Sequence, residues 1–152
     1  MLLVTAAALA GLPAPEFRGK VIGITDGDTI EGLIDHVSVK VRLHGIDAPE
    51  KGQPFGDRAK QKTAELVFGK AVRVIQRSTD RYGRVVGDIV LPDGRRLNRE
   101  LVRSGFAWWY RQYAKKDREL ERLEEEARDA RIGLWRDNDP IPPWLWRKAG
   151  RR

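Results

Sequence analysis

The stretch ITDGDTI, residues 24–30, sets two carboxylates, Asp26 and Asp28, one glycine apart between flanking isoleucines. Asp-Gly between strand-like residues is a strong signal for a tight β-hairpin. Two such carboxylates also suit a hard cation. An EF-hand loop would continue with oxygen ligands at alternate positions and end in glutamate, but Ile30 and Val37 stand at those places. The stretch is therefore no self-contained calcium loop. Alone it reads as a hairpin, with Asp26 and Gly27 making the turn and Asp28 opening the second strand.

Working outward, residues 20–25 (KVIGIT) and 28–34 (DTIEGLI) are the two strands of that hairpin. Residues 37–46 alternate, with Val37, Val39, Val41 and Leu43 on one face and Ser38, Lys40, Arg42 and His44 on the other, which predicts a half-buried strand ended by Pro49. A helix over 56–69 places Ala59, Thr63, Leu66 and Val67 on one side and stops at Gly69. Residues 71–77 and 84–91 read as strands joined by DRYGR. A short helix over 97–104 turns Leu97, Leu101 and Val102 inward. A longer one over 115–132 carries a stripe of Leu120, Leu123, Ala127 and Ala130. Its Glu124-Glu125-Glu126 run reads as a solvated face with partners such as Arg122 and Arg128. Residues 137–152 form a Pro-rich, Trp-bearing, basic tail, docked or frayed. Five strands with a helix after the third is the order of an OB-type barrel, so the expected class is α+β, mostly β: a five-stranded OB-fold barrel with two C-terminal helices. Fold alone does not fix function.

The chain has 152 residues, 41% apolar and 34% charged, which suits one globular domain. Lys plus Arg is 29 and Asp plus Glu is 22, a formal charge of +7 that favours polyanionic partners. There is no cysteine, which excludes thiolate metal sites, disulfides and a cysteine nucleophile. His36 and His44 are the two histidines, too few to favour a multi-histidine cage. A bound metal would need oxygen ligands, which points to Ca2+ or Mg2+. The opening run MLLVTAAALAGLPAPEF resembles the apolar core of a secretory signal, with Ala8-Leu9-Ala10 as a small-residue cleavage site, although no basic residue precedes it. The expected organisation is a leader over 1–15, a domain over 16–136 and the tail over 137–152, in a secreted or periplasmic protein.

Three polar clusters fall at strand ends or loops: DGDT at 26–29, RLHGIDAPE at 42–50 and DRYGR at 80–84. In the second, Arg42 lies on a strand's polar face, and Asp47 and Glu50 follow where Pro49 keeps the chain extended. Asp47 could cap a turn and Arg42 could make a surface pair; equally, two carboxylates and a carbonyl could hold a cation while a third carboxylate orients or deprotonates water. In the third, Arg84 can donate two parallel hydrogen bonds to a phosphate and Tyr82 can stack on a base, or the segment is a plain polar hairpin loop. Phosphodiester cleavage uses all of these parts: a cation and arginines against phosphate charge, a base for water, and aromatics for the nucleotide.

Taken in order, ITDGDTI, VRLHGIDAPE, DRYGR and RRLNRELVRSGFAW (95–108) resemble a staphylococcal-nuclease-like (thermonuclease) domain from about Lys20 to Trp135. The resemblance implies an OB barrel with a single Ca2+. Asp28 and Asp47 would be carboxylate ligands and Ala48, where many relatives have Thr, would lend its backbone carbonyl. Glu50 matches the family's general base or water-orienting carboxylate. Arg42 and Arg84 match the arginines on the scissile phosphate, and Tyr82 and Arg81 match substrate contacts. Tyr110 and Tyr113 both stand as the further substrate tyrosine, because WWYRQY (108–113) does not align cleanly. The loop after Glu50 (KGQP) is shorter than in the staphylococcal enzyme. Trp108 and Trp109 are packing residues by default, and a structural or phosphate-contacting role suits His44 better than metal ligation. The implied activity is Ca2+-dependent hydrolysis of DNA and RNA by a monomer, leaving 3′-phosphates. The alternative is a non-catalytic nucleic-acid-binding module on the same fold, which has no use for a carboxylate at Glu50 beside phosphate. A polysaccharide-binding surface would leave the ordered acid and arginine set unexplained.

Overall fold

The computed structural model describes residues 14–150. Strand β1 (Glu16–Asp26) and strand β2 (Thr29–Ile34) form the hairpin expected from Asp26-Gly27. Asp26 pairs with Thr29, so Gly27 and Asp28 are the two turn residues, and Asp28 lies in the turn and not in the second strand. Gly27 is needed for room: a Cβ there would stand 2.8 Å from the Ala48 Cβ and 2.9 Å from the Ala59 Cβ. The close approach lets Thr63 of helix α1 (Gly56–Val67) donate its hydroxyl to the Gly27 carbonyl at 2.7 Å.

Strand β3 (Val37–Leu43) continues the meander antiparallel to β2. After the short strand β4 (Ile46–Asp47) and α1 come β5 (Ala71–Thr79) and β6 (Val85–Val90). The strand order β1-β2-β3-β6-β5 closes on itself as a barrel, with β3 and β6 parallel and the other pairs antiparallel. This is the five-stranded barrel with a helix between its third and fourth strands. Alternation puts Val21, Ile30, Val41, Leu43 and Ile89 in the interior. Helix α2 (Leu97–Arg103) covers one end with Leu97, Leu101 and Val102, and helix α3 (Arg118–Asp129) adds Leu120 and Leu123. Within α2, the fully buried Asn98 accepts from the Ile89 N–H and donates to the His44 and Gly87 carbonyls, fastening helix to barrel.

Several features differ from the sequence reading. Two strands of two residues each, β4 and β7 (Trp108–Trp109), pair antiparallel beside the barrel; they are too short to show a period. Glu124 is buried, because its carboxylate accepts the Trp109 backbone N–H, while Ala130 caps α3 in solvent. Glu126 does pair with Arg122, and Glu124 with Arg128. Val37, paired with Ile34 at the start of the strand, is exposed. A 3-10 turn (Gly133–Arg136) closes the domain, and the tail contributes a third C-terminal helix, α4 (Pro143–Gly150). Trp108 packs with Ala127, Leu134 and Trp135 in a second apolar cluster, and Trp144 of α4 lies against it. Trp109 belongs to the main core. The leader proposed for 1–15 falls almost wholly outside the described residues. No helix among the described residues is long and apolar enough to cross a membrane.

Candidate active site

The β1–β2 turn and the short strand β4 meet over α1, and each delivers a carboxylate. Asp28 accepts the Ala48 backbone N–H at 2.8 Å, so the turn is tied to the residue after β4. Arg42, near the end of β3, points between them. Its Nη2 lies 3.3 Å from Asp28 Oδ2 and 3.4 Å from Asp47 Oδ1, and its Nη1 donates to the Leu43 and Ile46 carbonyls. Asp28 and Asp47 are both buried. Asp26 joins them from the turn, its carboxylate accepting the Asp28 N–H at 3.1 Å.

The cluster holds more negative charge than Arg42 balances. Burial, then the neighbouring Asp28 charge, pushes the Asp26 carboxyl up to about 7. Asp28 is shifted the other way: burial alone would raise it, but the Arg42 guanidinium and hydrogen bonds from its neighbours hold it below the usual carboxylate range. Burial raises Asp47 to about 6 in spite of its arginine partners. Crowded oxygen donors with residual negative charge are the chemistry that a hard divalent cation relieves. Asp28 and Asp47 fit such an ion, and the Ala48 carbonyl adjoins them in the chain. Among the described residues, though, no three Asp, Glu or His side chains are grouped as a ready-made cage.

Glu50 follows β4 in a tight turn. Gln53 closes it: its side-chain carbonyl accepts the Glu50 N–H at 2.9 Å and its own N–H donates to the Glu50 carbonyl. A side chain at Gly56 would collide with that same carbonyl, so the short KGQP loop depends on the glycine that begins α1. Glu50 does not touch Arg42. Its carboxylate is bound by Arg147 of α4, which donates from Nη1 to Glu50 Oε1 at 2.6 Å and to Asp47 Oδ1 at 3.1 Å, and from Nη2 to Asp47 Oδ2 at 2.7 Å. Arg147 thus brings Glu50 and Asp47 to one guanidinium.

Tyr110, just past β7, stacks face to face on Trp144 with centroids 5.3 Å apart and planes 4° from parallel. Burial, then the nearby Asp47 charge, raises its phenol. Tyr113 meets the edge of Tyr110 at 4.8 Å and is exposed. Of the two tyrosines, Tyr110 adjoins the carboxylates. His44 faces away, in a depression with Tyr113, Lys115, Lys116 and Asp117, and burial lowers its pKa.

Arg84 is not gathered into this group. Asp80 accepts from the Tyr82 and Arg84 backbone N–H groups and from Arg84 Nε at 2.7 Å, folding DRYGR into a closed loop. Tyr82 is exposed at the loop's crest, with the Arg81 and Arg84 guanidinium groups 4.9 and 5.5 Å from its ring centre. The β3–β6 register, Val41 with Val85 and Arg42 with Val86, places Arg84 level with Lys40, two residues along from Arg42 and on the same face. The loop therefore leads into the strand that runs beside Arg42.

A barrel rim carrying this acid and arginine set in this chain order has a counterpart among known proteins. Residues 40–137 match the family model described as staphylococcal nuclease homologue. The chain belongs to that family. It is 47% identical to Protein ParB of Escherichia coli over 161 aligned residues, covering 97% of this chain and 91% of that one. It is 42% identical to a protein named micrococcal nuclease from Shigella flexneri, over 94% of this chain and 88% of the relative. An uncharacterized endonuclease of Escherichia coli is 46% identical over 87% and 86%.

Three residues of the site escaped the sequence reading. Gln53 lies inside a loop with no motif. Glu124 is masked by its acidic neighbours. Arg147 sits in a basic tail of generic composition, and its only signal was Pro142-Pro143 ahead of Trp144 and Trp146, a plausible helix start.

Proposed function

We propose that the protein is a Ca2+-dependent endonuclease hydrolysing phosphodiester bonds in DNA and RNA. The observation that carries this reading is the convergence of Asp28 and Asp47 on Arg42, with Glu50 brought to Asp47 through Arg147. The nuclease names of the relatives support it.

Asp28, Asp47 and the Ala48 carbonyl would hold the ion. When bound, Ca2+ supplies positive charge that screens the phosphate and eases attack on phosphorus. Glu50 accepts a proton from, or orients, the water whose oxygen forms the new bond to phosphorus. The bond from phosphorus to the 5′ oxygen breaks, and that oxygen takes a proton from solvent. Arg42 holds Asp28 ionised and offers its outer edge to a phosphate oxygen. Arg84 exchanges Asp80 for another phosphate oxygen, so the loop must release one ion pair in order to grip substrate. Tyr110 and the exposed Tyr82, with Arg81, take the flanking nucleotides by stacking, which suits single strands better than duplex. The chain would act as a monomer. Export to the periplasm or medium is part of the proposal and rests on the apolar opening run alone.

The test is digestion of plasmid DNA and of RNA by purified protein, with Ca2+ or with chelator, for wild type and Glu50→Gln. Cleavage that needs Ca2+ and falls by several orders of magnitude in Glu50→Gln is expected. Intact nucleic acid with folded, Ca2+-supplied wild type would leave the binding-module alternative standing.

A further inference from the structure

Helix α4 covers both ends of the site just described. At one end, Arg147 places a guanidinium on Asp47 and Glu50, with three hydrogen bonds of 2.6–3.1 Å. At the other, Trp144 lies flat on Tyr110. Positive charge on the acid cluster and an aromatic plane on the tyrosine are the two things that a divalent cation and a nucleobase would bring. The helix is secured from outside the site: Gln53, which shapes the Glu50 turn, donates its side-chain N–H to the Ile141 carbonyl at 2.6 Å, and Trp144 meets Trp108 edge-on at 5.6 Å.

We propose that α4 is an intramolecular strap competing with the divalent cation and with single-stranded substrate for this site. The proposal rests on the cation-dependent nuclease reading above. Arg42 and the Arg147 fork already hold both Asp47 oxygens, so a metal approaching from the Arg147 side must displace the fork. Glu50 cannot take a proton from water while it is bound to Arg147 at 2.6 Å. Tyr110 cannot stack a base on the face that Trp144 occupies. Arg147 and Trp144 both belong to one eight-residue helix, so its departure would release all three groups together. Half of the residues of α4 are exposed, with Leu145 at 50%, and the helix lies outside the closed five-stranded barrel.

The test compares wild type with Arg147→Met, which keeps the aliphatic stem and removes the charge. Calorimetric Ca2+ titration is expected to show the variant binding at least about tenfold more tightly, since charge-assisted hydrogen bonds no longer have to be broken. Equal or weaker binding by the variant would overturn the strap. A second readout keeps α4 native apart from one exposed position. Leu145→Cys, in a chain with no other cysteine, takes a spin label, and Ca2+ with a short single-stranded oligonucleotide should raise the label's mobility. A label that stays immobile while substrate is bound and cut also overturns the strap, and leaves the nuclease reading intact. If neither protein binds Ca2+ nor cleaves, the nuclease reading itself fails and the strap falls with it.

Discussion

Glu124 Oε2 accepts the Trp109 backbone N–H at 2.7 Å, joining α3 to the short strand β7. The bond matters to the site because β7 pairs with β4, Trp108 opposite Asp47 and Trp109 opposite Ile46. A buried carboxylate on an outer helix thus fixes the backbone that presents Asp47.

Glu124→Ala should lower stability by about 1–3 kcal/mol, because it leaves a buried N–H unpaired. Glu124→Gln keeps an acceptor and should cost less. Urea unfolding of the two variants measures the difference. A loss from Glu124→Ala no larger than from an exposed substitution such as Glu125→Ala would mean that the bond contributes nothing.

In chelator, the protein should become more stable as pH falls from 8 toward 5. Asp26 and Asp47 titrate in the folded protein at about 7 and about 6, against an ordinary 3.8. A carboxyl raised on folding binds its proton more tightly in the native state, so stability rises as pH drops through the folded value and levels off near the unfolded one. Asp26→Asn should flatten the upper part of this window, between pH 8 and 6. Denaturation midpoints at four pH values test it, and a slope unchanged by the substitution would assign the effect elsewhere.

Gly27→Ala is expected to lower stability by about 1–3 kcal/mol through overpacking, since its new methyl must push Ala48 and Ala59 apart. The same displacement moves Asp28 away from Arg42. If Asp28 is a Ca2+ ligand, as proposed, Ca2+ affinity should fall more steeply than in a surface variant of matched stability. Thermal melts with and without Ca2+ separate the two effects.

Tyr82→Ala should leave stability within about 0.5 kcal/mol of wild type, because the ring is solvent-exposed. If Tyr82 stacks on a nucleotide, KM for a short single-stranded substrate should rise several-fold while kcat stays close to wild type. Asn98→Ala should behave in the opposite way, unfolding at markedly lower urea because it strips partners from the buried Ile89 N–H.

The barrel was legible because its strands alternate cleanly and its turns carry Asp-Gly or Gly at the right places. Asp28, Arg42 and Asp47 stood out as candidates because they lie in motifs at a turn and at strand ends, and the fold brings them together. What was hidden has a common cause: it depends on partners distant in sequence. Arg147 lies 100 residues from Asp47, and no local pattern marks that pair. β4 and β7 exist only because they find each other. Glu124 is buried only because α3 turns it toward β7, which its place among three glutamates does not reveal. The DRYGR loop was recognised, but the ion pair by which Asp80 holds Arg84 had to be seen in the fold.

The parallel seam between β3 and β6 also has a consequence for biosynthesis. It joins Arg42 to Val86, so more than 40 residues must be looped out before the barrel can close. Arg42 and Arg84 come onto one face only at that step. Until β6 has been synthesised and zipped against β3, an emerging chain has one arginine without its companion. A nascent polypeptide on the ribosome therefore carries an incomplete candidate site until its last barrel strand is in place.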